Sequence, residues 1–430
     1  MGGMLEILRN AWKIPDLRKK LLFTVAMMII FRIGAHIPVP GLDAGQFAKL
    51  LESAGSLGGF LDIVSGGALK TATIFAMSIT PYINSSIIMQ LLTVAIPALE
   101  KLQKEGDEGR KIIQQYVRYG TVVLGLIQAI GLYFSMRSAV VDGGSIWSFL
   151  TIVLSFTAGT AFLMWLGEQI NEFGIGNGIS LIIFAGIVSR APDGLLGIIE
   201  LYKLDRFGTG VLGIITIIAI LALFVVMIAL VIWVQQAERR IPIQYAKRMV
   251  GRKMYGGQST HLPIKVNLAG VIPIIFAMSI MMFPSTIITM FFNGADNWFV
   301  NLFKNPQKSW IYPIIYAFLI IFFTFFYSVI QFNPIEIANN MKKNGGFIPG
   351  LRPGKPTSDY ISKVLNRVTW FGGFFLAVIT ILPIILSNIT QIDNLWFGGT
   401  ALLILVGVAL DTVKQVESQM LMRHYKGFLE

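Results

Sequence analysis

The chain has 430 residues, 54% of them hydrophobic and only 13% charged, with no cysteine and a net charge of +12. A soluble domain carries about a quarter charged residues, so there is too little polar surface here to cover a water-soluble globule, and the bilayer must serve as part of the solvent. The absence of cysteine excludes disulfides, thiolate nucleophiles and cysteine-ligated metal centres, and His36, His261 and His424 are too scattered for a metal site; no metal and no cofactor is expected.

In chain order, 1–20 reads as an amphipathic surface helix, with Leu5, Leu8 and Trp12 at helical spacing beside Arg9 and Lys13. A full span and no small-residue cleavage site follow, so it is not read as a cleavable signal. A helix needs about 20 mostly apolar residues to cross the hydrocarbon core. Ten such runs are predicted: Leu21–Ile37, Ile74–Ile96, Tyr116–Met136, Ile146–Leu166, Ile175–Val188, Val211–Val234, Val266–Met290, Ile311–Ile330, Val368–Leu386 and Phe397–Val413. The fifth is short and glycine-rich. If the N-terminus is cytoplasmic, the cytoplasmic segments hold 26 lysines and arginines and the external ones 8, with Arg32 inside the first span. That bias predicts both termini in the cytoplasm and makes the positive charge a feature of that face, suited to anionic lipids and not to direct contact with DNA.

Ten spans divide into 21–190 and 211–413, joined by a hinge loop at 191–210 rich in proline and glycine and followed by a tail at 414–430. An odd number of spans per half inserts the second half upside down relative to the first. Pro81-Tyr82-Ile83 in the second span is echoed by Pro273-Ile274-Ile275 in the seventh, its counterpart. The expected fold class is therefore an all-α polytopic membrane protein of two inverted five-helix halves.

Three segments between spans stand out. Gly58–Ala72 (GGFLDIVSGGALKTA) is apolar enough to leave water but too short to span; it reads either as a short re-entrant helix inside the bundle or as an external amphipathic loop. The loop 235–265 projects Arg239, Arg240, Lys247, Arg248, Arg252 and Lys253, and the loop 332–367 carries Lys342, Lys343 and Arg352 among glycine and proline turns. Topology alone accounts for their charge; their length fits docking surfaces better. Arg32 and Glu168 lie near span ends, where such residues snorkel or pair. No phosphate loop, dinucleotide fingerprint or nucleophile elbow occurs, so uphill movement of cargo needs energy from another molecule. An ion-coupled transporter would place a charge near the midplane and an intramembrane enzyme would need convergent polar groups; neither pattern is present in the sequence.

The blocks TPYINSSIIMQLLTVAIP, KEGDEGRKIIQQYVRYGT, MWLGEQINEFGIGNGISLIIFAGIV, QSTHLPIKVNLAGVIPIIFA, FNPIEIANNMKKNGGFIPGLRPG and FGGTALLILV resemble, in the same order, those of the bacterial SecY family, the main subunits of the protein translocation channel. The resemblance implies a non-enzymatic channel in the bacterial inner membrane. It passes unfolded, signal-bearing preproteins through a central hourglass pore and releases apolar segments sideways into lipid. By motif, it places an aliphatic pore ring at Ile79, Ile83, Ile179, Ile183, Ile275 and Ile404. It places a plug over 58–72, with Phe60, Leu61, Ile63, Val64, Gly66 and Gly67, and a lateral gate between the second and third and the seventh and eighth spans, with Asn84, Ser86 and Gln90 as lining candidates. It implies SecE and SecG as small membrane partners, and the motor ATPase SecA and the ribosome as occupants of the two basic loops. Isoleucine suits a gasket, being bulky, stiff and without hydrogen-bonding groups.

Overall fold

The computed structural model describes residues 4–53, 62, 65–141, 144–194, 196, 211–245, 248–250, 253–255, 259–291, 309, 311–390 and 399–426. A short basic helix, α1 (Met4–Lys13), stops before Pro15, which opens α2 (Pro15–Gly34) where its missing N–H costs nothing. Asp16 in the first turn and Arg32 in the last complement the dipole of α2. Next come α3 (Ala44–Ser53), a run of turns over 65–79, and α4 (Thr80–Ala95). At Ile96 the chain bends by 100° into α5 (Pro97–Lys104). The first half is completed by α6 (Asp107–Ser135), α7 (Ile146–Phe173) and α8 (Gly178–Ser189), whose start is capped by Asn177 accepting from the Ser180 amide at 3.1 Å.

The second half contains α9 (Val211–Gln236), α10 (Ile272–Phe291), α11 (Ile311–Gln331), α12 (Pro334–Lys343), α13 (Lys355–Thr390) and α14 (Gly399–Lys426). Between them lie β1 (Glu238–Tyr245), β2 (Arg248–Val250), β3 (Lys253–Tyr255), β4 (Ser259–Lys265) and β5 (Gly346–Phe347). Each of the ten predicted spans falls on a helix. Among the described residues six segments are long and apolar enough to cross a membrane alone, and the bent pair α4–α5 makes a seventh.

Two expectations need correcting. The second span starts at Thr80, not Ile74. Over 65–79 the backbone turns repeatedly, with Gly66, Gly67, Ala72 and Ser78 all at positive φ, a conformation incompatible with helix for L residues; the described part of 58–72 is thus not a regular helix from Ser65 onward. Apolar composition runs unbroken across this boundary, which is why hydropathy missed it. The basic segment 235–265, expected as a loop between spans of an all-α fold, contains strands. β1 pairs antiparallel with β4, from Glu238 opposite Lys265 to Gln244 opposite Ser259, and with β5 on its other edge. Ile241 and Ile243 are buried while Pro242 and Gln244 are exposed, the period-2 pattern of a half-buried strand.

Lipid tails are as apolar as leucine, so helices in a membrane associate through close packing and small residues. Three glycines mark close approaches to the backbone of a neighbouring element. A Cβ on Gly159 would lie 2.0 Å from the Ile74 carbonyl oxygen, one on Gly178 2.0 Å from that of Gly167, and one on Gly399 2.0 Å from that of Ile379. Backbone cannot retreat from such a contact without moving a helix. Gly178→Ala is expected to cost about 1–3 kcal/mol of stability, read as a lowered melting midpoint in detergent; an unchanged midpoint would show that α7 and α8 do not touch there.

Candidate functional site: a buried isoleucine cluster between two bundles

Within the first half α4 packs on α6, α6 on α7, and α7 on both α8 and α2; within the second α10 packs on α11, α11 on α13, and α13 and α9 on α14. The halves meet along two lines: α10 against α4 and α6, and α14 against α8 and α2. Between these lines lies one large apolar cluster. Ile79 and Ile83 enter it from the start of α4, Ile183 from α8, Ile275 from α10 and Ile404 from α14, each 8% exposed or less. Ile179 is partly buried and packs on the same cluster; its Cδ1 lies 2.5 Å from where a Cβ on Gly167 would sit, so α7 holds it from behind. Of the six ring candidates none faces outward. Ile79 lies at the N-cap of α4 instead of one turn inside a helix, but the Ile83 amide still donates to the Ile79 carbonyl at 3.0 Å, keeping the pair on one face.

Beside Ile79 the turns over 65–79 are pinned to the first half. Phe75 stacks between Phe31 of α2 and Phe162 of α7, with centroids 6.1 and 6.0 Å apart. The Ile74 amide donates to Ile37 O at 3.1 Å and the Val39 amide to Ala72 O at 2.9 Å. Asp62 is buried; its Oδ1 accepts from the Lys70 amide at 2.7 Å and its Oδ2 from Arg190 at 2.5 Å. Burial pushes the Asp62 carboxyl up from the ordinary carboxylate value, and the Arg190 charge and the Lys70 amide pull it back only in part. Arg32 donates to Gly66 O at 2.8 Å and to Ser189 Oγ at 3.2 Å. Gly66 and Gly67 are therefore described and held, whereas Phe60, Leu61, Ile63 and Val64 lie outside the described residues. Glu168 pairs with Arg118 at 2.7 Å, as its place near a span end predicts.

On the line between α4 and α10–α11 polar groups interrupt the apolar packing. Gln90 Nε2 donates to Ser86 Oγ at 3.3 Å, and its Oε1 accepts from the Tyr327 hydroxyl of α11. Tyr327 in turn packs edge-on against Phe276 of α10, at 4.9 Å between centroids. Asn84 is half-buried on the same helix as Ser86 and Gln90. The three candidate polar residues thus share α4, and a tyrosine not singled out from the sequence reaches one of them from the other half.

A family model described as SecY matches residues 73–413. The protein translocase subunit SecY of Halalkalibacterium halodurans is 48% identical over 442 residues, spanning 99% of this chain and 100% of that protein. The chain belongs to the SecY family. Among solved structures, a SecY protein whose plug domain stabilises the closed state of its translocation channel superposes with a TM-score of 0.65 at 18% identity, over 94% of this chain and 92% of that one. Sec61 in the canine ribosome–channel complex superposes with a TM-score of 0.60 at 17% identity, over 94% and 92%. The fold is accordingly that of the protein-conducting channels, ten helices in two inverted halves about a central pore, and the SecY-family chain is a channel subunit and not an enzyme.

SecY-family membership leaves the basic loops to be located. Arg239 and Arg240 are exposed on β1, with Arg240 paired to Glu238 at 2.7 Å. Lys342 and Lys343 end α12, and Arg352 is exposed in the turn before α13. Arg248 and Lys253 sit on the β2–β3 hairpin, while Lys247 and Arg252 lie outside the described residues. The pairing of β5 with β1 joins the two loops into one unit around Ile241, Ile243, Ile264, Met341, Ile348, Ile361 and Leu365.

The Gln90–Tyr327 bond is one hydrogen bond that ties the two halves together. Gln90→Leu and Tyr327→Phe should each cost about 0.5–1.5 kcal/mol, and the double variant no more than the larger single. Additive losses in a double-mutant cycle would show that the two groups do not interact.

Proposed function

We propose that this SecY-family chain is the seal and lateral exit of a protein-conducting channel in the bacterial inner membrane, with both termini cytoplasmic. Supporting the seal is one observation above the rest: Ile79, Ile83, Ile183, Ile275 and Ile404 come from four helices of both halves and share one buried apolar cluster, with Ile179 packed on it. A collar of branched aliphatic side chains offers water and ions no polar partner, so a narrow gap within it dewets. It makes no directional bond to the chain passing through, and so accepts any unfolded sequence. Phe60, Leu61, Ile63, Val64, Gly66 and Gly67 belong to the plug that backs the collar on the external side.

Lateral exit follows the seam between α4–α6 and α10–α11. An apolar signal sequence gains about 0.3–0.6 kcal/mol per strongly apolar residue on entering lipid, summed over a full span. The polar contacts of Ser86 and Gln90, on the helix that also carries Asn84, are small beside that sum, so they set a threshold and not a lock. Arg239, Arg240, Lys247, Arg248, Arg252, Lys253, Lys342, Lys343 and Arg352 form the cytoplasmic docking face for the energy source, SecA or the ribosome; the solved Sec61 relative was seen in a ribosome complex. SecE and SecG complete the membrane assembly, and anionic lipids face the basic side.

Two tests follow in vesicles that hold the chain with SecE and SecG. Replacing three or more of the ring isoleucines by Ser should raise resting ion conductance at least severalfold while a signal-bearing precursor still crosses; unchanged conductance would remove the collar. Arg352→Glu should cut SecA-driven transport of that precursor about tenfold or more, since a buried or rim charge reversal turns attraction into repulsion. Normal transport rates would place docking elsewhere.

A further inference from the structure

Arg190 closes the C-terminus of α8, and its guanidinium is shared between two carboxylates. One branch, Nη2, reaches Asp62 at 2.5 Å, and the other, Nη1, reaches Asp193 at 2.7 Å. The two acceptors differ sharply in surroundings: the Asp62 side chain is 3% exposed and that of Asp193 is 59% exposed. Asp62 also organises the turns that follow, since its carbonyl accepts from the Gly67 amide at 2.8 Å and from Ser65 Oγ at 3.0 Å. The next contact along the chain is to the first span, through Arg32 and Gly66 O. At Gly66, with φ +68°, a Cβ would lie 2.9 Å from Gly186 Cα, so this backbone lies directly on that of α8. These ties all come from α2 and α8, both in the first half.

We infer that Arg190 and Arg32 are positioning residues that fix Asp62 and the turn at Ser65–Gly67 against the first and fifth spans, and that Arg190 passes from Asp62 to Asp193 when this plug segment leaves. This rests on the channel reading above, in which that segment is part of the plug. Pulling Asp62 away unaided would strand a guanidinium that is itself only 25% exposed, and an ion stripped of its partner in such a place is costly. Asp193, already in contact three residues further on, keeps the cation paired in both positions. The exchange lowers the cost of release, while Asp62, the more buried acceptor, keeps the segment seated at rest. The two carboxylates therefore oppose each other: Asp62 favours the seated position and Asp193 the released one.

The opposition gives a test with two signs. In planar bilayers containing the full chain with SecE and SecG, Asp62→Asn and Arg190→Gln should each raise resting conductance roughly tenfold to a hundredfold, the range for losing a hydrogen bond to a charged group. Arg190→Lys, which keeps the cation, should stay within about twofold of the parent on the same scale. Asp193→Asn, an exposed change that leaves the fold alone, should lower resting conductance and slow passage of a precursor with a weakened signal. The inference is overturned if Asp193→Asn shifts conductance in the same direction as Asp62→Asn, if Arg190→Lys leaks as much as Arg190→Gln, or if Asp62→Asn has no effect. An intact precursor crossing in the parent assembly separates these results from failure of the channel reading itself.

Discussion

An interior backbone that is not helical must still find a partner for every N–H and C=O, and among the described residues the turns from Ser65 to Ile79 are where that requirement is hardest to meet. A helix satisfies itself; this stretch does not. Its amides are served by Asp62 Oδ1, Ser65 Oγ, Ile37 O and nearby carbonyls in turn, and the carbonyl of Gly66 by Arg32. Buried charges, uncommon in a bilayer protein, are present here because the backbone requires them. The placement of Ile79 and Ile83 depends on it, since α4 cannot start at Thr80 unless the preceding turns end there.

That start point links the two classes of contact between the halves. On the inside, isoleucines from α4, α8, α10 and α14 meet without any directional bond, so they part and meet again at little cost beyond dispersion. On the rim, Gln90 and Tyr327 meet through one hydrogen bond backed by the edge-on contact of Tyr327 with Phe276. Contacts without direction suit a surface that must yield to any sequence. A directional contact suits a seam that opens and then has to close in register.

The helical part of this design is written openly in composition. Long apolar runs broken by charge located ten helices, and the asymmetry of lysine and arginine gave a sidedness to expect. Pairings between distant segments were not legible. Asp62 and Arg190 lie 128 residues apart and Gln90 and Tyr327 lie 237 apart, and no periodicity reports on a bond of that kind. The sheet was half visible: Ile241 and Ile243 alternate with Pro242 and Gln244, a strand signal in a stretch whose length and charge drew attention first. The turns at 65–79 were hidden for a different reason, since hydropathy measures what a segment is made of and not the sign of φ at Ala72 or Ser78.

The joined basic unit also has a mechanical side. It sits at the head of α13, a 36-residue helix with Pro356 in its first turn and no other proline before Pro383, about 54 Å long at 1.5 Å per residue. One end of that rod packs against the sheet through Ile361 and Leu365, and further along it lies against α11 and α14. Whatever grips the sheet therefore holds a stiff handle: torque applied there reaches the second bundle through a single piece of covalent helix, with no joint at which it would be lost.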